Sequence, residues 1–387
     1  MLVICALAIL WFALVPVAGA FASRRRWRIF RRRFDELRLR PLLDYVRYSA
    51  GETGQFRFIG GFESITDGHT LWLRGRALTI PVLLTEAHTF VLPMPEDFGL
   101  ADFEPGEGSP ERVRWDKITT LTEGAKVFVG GELLMRDKRL TFVSTKETPL
   151  LVIFYEGPDR SLTTRVIRSG RRRNEYWNTL TPYALILGSF SELFMAVNYL
   201  SRPAFRLTVI TAAAAALLPL FPLIPPGIVL TILYQRLWRR ARIFRACRDL
   251  VMLPLLHLPS GQMEGTLSNG ERYGAVHRRN LTPAEEQAIP LLIPLRAAEK
   301  AKDWYIFGAL TPAQGEVPSA GQDGLPLPAE PRDVFAVYGA IPGNPPVLAR
   351  KFTVQAYILE AAAWCALLAG IGLNAFFLVM IIRLLGG

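Results

Sequence analysis

The sequence predicts a multi-pass α-helical membrane protein that carries small all-β domains. Hydrophobic residues make up 50% of the 387 positions, and they are concentrated in blocks. Basic clusters lie beside these blocks, and the net charge is +11. This placement indicates an anionic membrane surface rather than nucleic acid. Between the blocks, residues 55–157 change to an alternating pattern rich in β-branched and aromatic residues, which is typical of strands.

The first hydrophobic block, residues 1–22, is predicted to be a transmembrane anchor. Residues 2–21 carry no charge, and about 20 apolar residues suffice to cross a hydrocarbon core. Ala18-Gly19-Ala20 is similar to a signal-peptidase site, so a cleaved signal peptide is the alternative. The arginines that follow at once resist translocation, which favours an uncleaved anchor with its N-terminus outside.

Three further blocks are predicted to lie in the membrane, at residues 182–200, 207–235 and 353–385. The block at 207–235 contains four prolines within eight residues, at Pro219, Pro222, Pro225 and Pro226. Because proline removes a backbone donor, this block is either a kinked span or a re-entrant hairpin. The sequence leaves both alternatives open.

Positive charge predicts the topology. The basic juxtamembrane helices at 23–54, 158–181 and 236–256 should stay in the cytoplasm. Both β-domains are then cytoplasmic, both termini lie outside, and the membrane is a bacterial inner membrane. The arginines expected to set this topology and to contact anionic lipids are Arg24, Arg25, Arg26, Arg239, Arg240 and Arg242.

Polar residues inside the predicted spans are the candidates for function. The polar candidates are Glu192, Asn374 and Glu360. The two carboxylates are either proton or ion sites or side chains that reach the interface. In the last span, small residues recur every four positions and form one ridge with Asn374. This ridge is expected to pack against the span at 182–200. The small residues are Ala362, Ala366 and Gly370.

The chain also shows signs of an internal tandem duplication. Residues 28–31 read Arg-Ile-Phe-Arg and are followed by Asp35, while residues 242–245 repeat these four letters and are followed by Asp249. Each copy would consist of a span, a basic helix, a β-domain and a second span. Chance resemblance between membrane-adjacent stretches is the alternative.

The first β-domain, residues 55–157, is predicted to be a small barrel like the OB fold. Asp67-Gly68 indicates a hairpin turn, and residues 96–112 read as a long loop. The second domain, residues 257–350, is expected to be a reduced version of the first. The candidate strands of the first domain are 56–59, 70–74, 77–83, 89–93, 126–133, 140–144 and 150–155.

One stretch resembles a known family. Residues 124–133 read Gly-Ala-Lys-Val-Phe-Val-Gly-Gly-Glu-Leu, and they are followed by a hairpin, by Leu-Val-Ile-Phe at 151–154 and by a basic helix that leads into a span. This layout resembles the membrane-attached β-domain of GIDE-type proteins, which include E3 ubiquitin ligases, and is similar to NfeD-type proteins. Those ligases carry a zinc-binding RING rich in cysteine and histidine, whereas this chain has three isolated cysteines and four histidines. The resemblance therefore implies a membrane-tethered β-domain and no ligase activity.

No catalytic motif is present in the sequence. HExxH, GxSxG, CxxC and the Walker phosphate loop are all absent. We therefore expect a non-enzymatic scaffold or accessory subunit without a cofactor. Its expected partners are the lipid bilayer, anionic lipids, another membrane or cytoplasmic protein and a second copy of the chain, and not nucleic acid. The alternative function is a transport or channel component with a polar intramembrane site near Glu192 and Asn374.

Overall fold

The computed structural model describes residues 2–92, 111–115, 125–169, 178–282, 285, 288–293, 303–310 and 327–386. Most of the predicted loop at 96–112 and residues 170–177 of the second basic segment lie outside them. The chain divides into two compact units. The helical unit comprises Met1–Ile29, Arg172–Arg245 and Thr353–Gly387, and the β-sheet unit comprises Phe30–Arg171 and Ala246–Phe352.

Two helices are long and apolar enough to cross a membrane. Helix α1 covers Leu2–Arg38 and includes a π-helical turn at Leu10–Leu14. The last helix, α7, covers Pro345–Gly386. In each, only 17% of the most apolar window is buried inside the protein, so these side chains do not form a protein core. Both exceed the length of about 20 residues that a bilayer requires. The first and last predicted spans therefore lie in helices that are long and apolar enough to cross a membrane.

The prediction of four spans is not supported. The block at 182–200 forms α4, Thr181–Tyr199, but among the described helices only α1 and α7 meet the criteria for length and hydropathy. The block at 207–235 forms α5, Arg206–Ala216, a 3₁₀ segment, Leu218–Leu223, and the start of α6, Gly227–Met252. The four prolines interrupt the helix because they cannot donate backbone hydrogen bonds.

The first strand region folds into a closed five-stranded barrel. The barrel strands are β1 Gly54–Thr66, β2 Thr70–Arg74, β3 Thr79–Leu83, β6 Lys126–Arg136 and β7 Arg139–Val143. Their order is β1-β2-β3-β7-β6, and β1 pairs again with β6 to close the barrel. The contact between β3 and β7 is parallel, whereas the other four pairings are antiparallel.

The barrel interior is filled by large apolar side chains. Leu73, Val82, Val129 and Phe142 are all fully buried, and burial of each such side chain stabilises the fold by about 1.5–3 kcal/mol. The hairpin between β1 and β2 turns at Asp67-Gly68, where both residues have positive φ, as predicted.

Three more strands extend the sheet beyond the barrel. β8, Leu151–Tyr155, pairs with β6, and β4, His88–Leu92, lies parallel to β8. The short β5, Glu111–Arg112, pairs with β4 at the edge. Two short helices complete this region: α2, Tyr45–Ser49, and α3, Ser161–Ser169. The seven candidate strands therefore coincide with strands of the structure.

The second polar segment has a different architecture. Its strands are β9 Glu264–Thr266, β10 Arg272–Arg278, β11 Trp304–Ala309 and β12 Gly339–Pro342. They pair in the order β12-β11-β10-β9 as an antiparallel sheet, which does not close within the described residues. Both sheets belong to the same compact unit. The tandem duplication is not supported by this fold, because the second sheet does not reproduce the strand order of the barrel.

Candidate functional site

Glu192 is a buried carboxylate in the helical unit. Its side chain is fully buried on α4, on a stripe that also contains Gly188 and Ala196. This stripe contacts α1, since a Cβ at Gly188 would lie 2.7 Å from the Cβ of Trp11. Neither carboxylate oxygen of Glu192 has a hydrogen-bond partner among the described residues. A buried, unpaired carboxylate is costly when ionised, which favours a protonated side chain or a bound cation.

Asn374 has a structural role. Its Nδ2 donates to the carbonyl oxygen of Phe221 at 2.6 Å and to that of Ile224 at 2.8 Å. These carbonyls lie in the proline-rich break, where Pro222, Pro225 and Pro226 cannot supply backbone donors. The two carbonyls also accept the backbone amides of Ile224 at 3.4 Å and Ile228 at 3.2 Å, so the Asn374 amide adds a second donor to each. No hydrogen bond in the described part of the chain joins Asn374 to Glu192.

Glu360 forms an ion pair. Its two oxygens accept from Nε and Nη2 of Arg245 at 2.8 and 2.6 Å. The same guanidinium lies 4.5 Å from the ring centre of Tyr357. A bidentate pair of this kind fixes geometry as well as adding energy. Glu360 thus connects α6 to α7 and is not free to act as an ion site.

The ridge of small residues on α7 packs against α6. A Cβ at Gly370 would lie 3.2 Å from the Cβ of Leu230. Ala366 joins a cluster with Tyr234 and Trp238. The partner is α6 and not the span at 182–200 that we expected. Ala362 is exposed, and the buried Ala363 takes its place in the cluster.

The candidate lipid-contacting arginines divide into two groups. Arg25, Arg26, Arg239 and Arg240 are exposed, and Arg24 is partly exposed. Arg242 differs from them because it is buried and its guanidinium stacks 4.4 Å from the ring centre of Trp238. Arg242 therefore packs inside the protein and does not face lipid headgroups.

The β-sheet unit contains a buried polar cluster that the sequence did not reveal. Arg38, at the end of α1, is 0% exposed, and Arg57, on β1, is 1% exposed. Arg57 donates through Nη2 to the carboxylate of Asp333 and lies 4.7 Å from the ring centre of Phe335. Nε of Arg38 donates to Asp35 at 3.0 Å. Burial lowers the pKa of both arginines, and the neighbouring carboxylates oppose this effect.

His257 belongs to the same cluster. Burial, followed by repulsion from Arg38, lowers the pKa of His257 to about 3, so the ring is neutral at pH 7. It stacks edge-on against Tyr273, with ring centres 5.6 Å apart. Tyr273 is fully buried and donates to the carbonyl oxygen of Val337 at 2.7 Å. In the sequence, Arg57 alternates with Phe56 and Phe58, which is the pattern of an outward-facing charge on a strand, so no local signal pointed to this cluster.

The cluster leaves several donors and one ring nitrogen unsatisfied. Nη1 and Nη2 of Arg38, Nε and Nη1 of Arg57 and Nε2 of His257 are buried without a hydrogen-bond partner among the described residues. Buried polar groups are nearly always hydrogen-bonded to protein or to ordered water, so this cluster is an exception that requires an explanation. The described residues contain no group of three His, Cys, Asp or Glu side chains that could hold a metal ion.

Comparison of the chain with protein-family models, with curated proteins and with solved structures found no match. The resemblance to GIDE-type and NfeD-type β-domains stays a prediction.

Proposed function

We propose that the chain is a scaffold or accessory subunit of a bacterial inner membrane that presents its β-sheet unit to another protein. The observation that carries this proposal is the continuity of α1. One helix contains the apolar window and also Phe34 and Leu37, which are buried in the β-sheet unit. A Cβ at Gly130 of β6 would lie 2.9 Å from the Cβ of Leu37, so the end of this helix packs directly on the barrel.

The barrel is proposed to be OB-like. Five strands, closure through β1 and β6, and a parallel contact between β3 and β7 support this reading. Such barrels serve many binding functions, so the fold alone names no ligand. A membrane-tethered domain of this kind also agrees with the resemblance to GIDE-type and NfeD-type proteins.

Further helices are proposed to lie in the bilayer. α4 buries the Glu192 stripe but exposes Phe190 and Phe194, at 67% and 69%. An apolar face of this kind marks contact with lipid or protein. The exposed Arg25, Arg26 and Arg239 would then stay on the cytoplasmic side with the β-sheet unit and contact anionic lipids.

Topology is tested by cysteine labelling on a background that lacks the three native cysteines. We expect Asp67→Cys to be protected from an impermeant reagent in intact cells and Ala204→Cys to react. Both variants should react after permeabilisation, which serves as the control. Labelling at Asp67 in intact cells would reject the cytoplasmic placement and revive the cleaved signal peptide.

The binding role is tested by crosslinking in native membranes followed by mass spectrometry. Lys138 and Lys146 are exposed on the barrel and give defined attachment points. We expect one partner protein to crosslink at these lysines and to copurify with the full chain. The matched control replaces both lysines with arginine, which keeps the charge and removes the reactive amine. Absence of any barrel crosslink at native expression would contradict the scaffold proposal.

A transport component is the second candidate, because Glu192 is fully buried and has no hydrogen-bond partner among the described residues. A protonated carboxyl in an apolar helix packing is a recurring element of proton and cation pathways. Proteoliposomes with the wild-type chain should then show ion or proton flux that Glu192→Gln abolishes. Equal flux from both would exclude Glu192 as the site, and no flux from either would favour the scaffold.

A further inference from the structure

The buried arginines in the β-sheet unit retain donors that protein groups do not fill. Arg38 uses Nε for Asp35, which leaves its terminal pair of nitrogens unpartnered among the described residues. Arg57 uses Nη2 for Asp333 and leaves Nε and Nη1. Each side chain is at most 1% exposed, so bulk water does not satisfy these donors. Because an unsatisfied buried donor is destabilising, an additional acceptor at these nitrogens would stabilise the fold.

Backbone pairing brings the two arginines close together. The amide of Leu43 donates to the carbonyl oxygen of Arg57 at 2.9 Å, and the amide of Arg57 donates to that of Pro41 at 3.0 Å. The segment from Pro41 to Leu43 therefore pairs with β1 at Arg57. Because Pro41 is only three residues after Arg38, this pairing holds the two arginines near each other. The two guanidinium groups also repel each other, which contributes to the lowered pKa of Arg38.

The neighbouring carboxylates are already shared. Asp35 accepts from Arg38 and also lies 3.7 Å from Arg31. Arg31 in turn pairs with Asp249 at 2.6 Å. The second oxygen of Asp333 accepts from the backbone amide of Phe335 at 3.0 Å. These carboxylates therefore have other partners and do not neutralise Arg38 and Arg57 completely.

We propose that Arg38 and Arg57 form an internal binding site for a small oxyanion of the phosphate class. The terminal nitrogens of Arg38 make a planar fork, which matches two oxygens of an oxyanion. Nε and Nη1 of Arg57 supply further donors from the barrel strand. Both side chains are at most 1% exposed, so an ion bound there is enclosed by protein, and neighbouring side chains must shift to admit it.

His257 selects between oxyanions. Since Nε2 has no partner among the described residues, the hydrogen bond of this ring with the Phe335 backbone involves Nδ1. Nδ1 then carries the proton and Nε2 is an acceptor. A hydrogen phosphate ion has an O–H to donate to Nε2 as well as oxygens to accept from the arginines. Sulfate lacks that O–H, so it satisfies the arginines and not His257.

The site is tested on the full-length protein in detergent, first exchanged into an anion-poor buffer. Thermal unfolding is followed as inorganic phosphate replaces chloride at constant ionic strength. At ten times the dissociation constant, phosphate should raise the ratio of folded to unfolded protein about tenfold. Equilibrium dialysis with labelled phosphate should find one ion per chain. Sulfate should bind more weakly than phosphate, and equal shifts from both would overturn the assignment of hydrogen phosphate.

Two variants of Arg38 complete the test. Arg38→Met removes the fork and should abolish phosphate binding while leaving Asp35 paired with Arg31. Arg38→Lys keeps the charge without the fork and should weaken binding at least about tenfold, which keeps the test available if the methionine variant fails to fold. Arg74→Gln is the control, because Arg74 is an exposed arginine paired with Glu63, and it should bind phosphate like the wild type. Binding that persists in Arg38→Lys at wild-type strength, or no binding by the wild type, would reject the site.

Discussion

Arg57 of the barrel and Asp333 of the second polar segment form a buried ion pair across 276 positions of the chain. Neither side chain is more than 7% exposed. The pair joins β1 to the segment that precedes β12, so it links the two sheets of one compact unit. Three aromatic rings pack edge to face beside this ion pair. The ring centre of Phe128 lies 5.3 Å from that of Phe335 and 5.5 Å from that of Phe34.

Removal of one member of this pair should be strongly destabilising. Asp333→Asn leaves Arg57 buried and uncompensated, at an expected loss of about 3–5 kcal/mol in the free energy of unfolding. The double variant Arg57→Met with Asp333→Leu should recover most of that loss, because no buried charge remains. Chemical denaturation in detergent measures both. For the exposed Arg74–Glu63 pair, Glu63→Gln should cost less than about 1 kcal/mol. Equal losses from Asp333→Asn and Glu63→Gln would contradict the assignment.

The packing of α7 on α6 is tested with two glycines of the same helix. Gly370→Leu should overpack the contact with Leu230 and cost about 1–3 kcal/mol. A Cβ at Gly372 would have no neighbouring atom within 4 Å, so Gly372→Leu is the matched control and should change stability little. Thermal unfolding in detergent distinguishes them. A similar loss in both variants would mean that helix propensity and lipid contact dominate over packing.

The hydrogen bonds of Asn374 should stabilise the proline-rich break. Asn374→Leu removes one donor from the carbonyls of Phe221 and Ile224, which keep their backbone donors, at an expected cost of about 0.5–1.5 kcal/mol for each hydrogen bond lost. Asn198 is the control, because it is exposed and its Nδ2 bonds within its own helix to the carbonyl of Phe194. Asn198→Leu should therefore have a small effect. If both variants have the melting temperature of the wild type, the Asn374 hydrogen bonds do not stabilise the proline-rich break.

Acid should destabilise the β-sheet unit through His257. The pKa of His257 is about 3 in the folded chain, below its ordinary value near 6.5, because burial and Arg38 disfavour the imidazolium. This contribution to stability is complete above pH 6.5 and is lost as the pH falls, by up to about 1.4 kcal/mol per pH unit. Burial and nearby arginines also lower the pKa of His88, which adds to the same trend.

The pH dependence is measured as the unfolding free energy between about pH 7 and pH 5 in phosphate-free buffer. His257→Phe should flatten the slope, because the folded state no longer excludes a proton at this position. His69 is exposed, and His69→Phe should leave the slope unchanged. A slope that persists in His257→Phe would assign the acid sensitivity to other groups.

Local patterns determined much of the fold in advance. The alternation of apolar residues located the barrel strands, because one face of each strand must point into the core. Asp67-Gly68 specified a hairpin through its positive φ angles. The long uncharged runs in α1 and α7 indicated two helices long enough for a membrane. The four prolines between 219 and 226 marked a break, although only the structure showed that α6 continues from Gly227 to Met252.

Which residues meet across the chain was decided by the tertiary structure. No local pattern indicates that Glu360 pairs with Arg245, that Asn374 donates to carbonyls of the proline-rich break, or that Ala363 rather than Ala362 is buried. Repeated letters suggested a second barrel, yet strand pairing depends on which edges find partners, and residues 257–350 form an open antiparallel sheet in their described part. Arg38 and Arg57 look like surface charges in the sequence. They are buried because the end of α1, strand β1 and the segment around Asp333 pack together, and such long-range packing leaves no periodic signal along the chain.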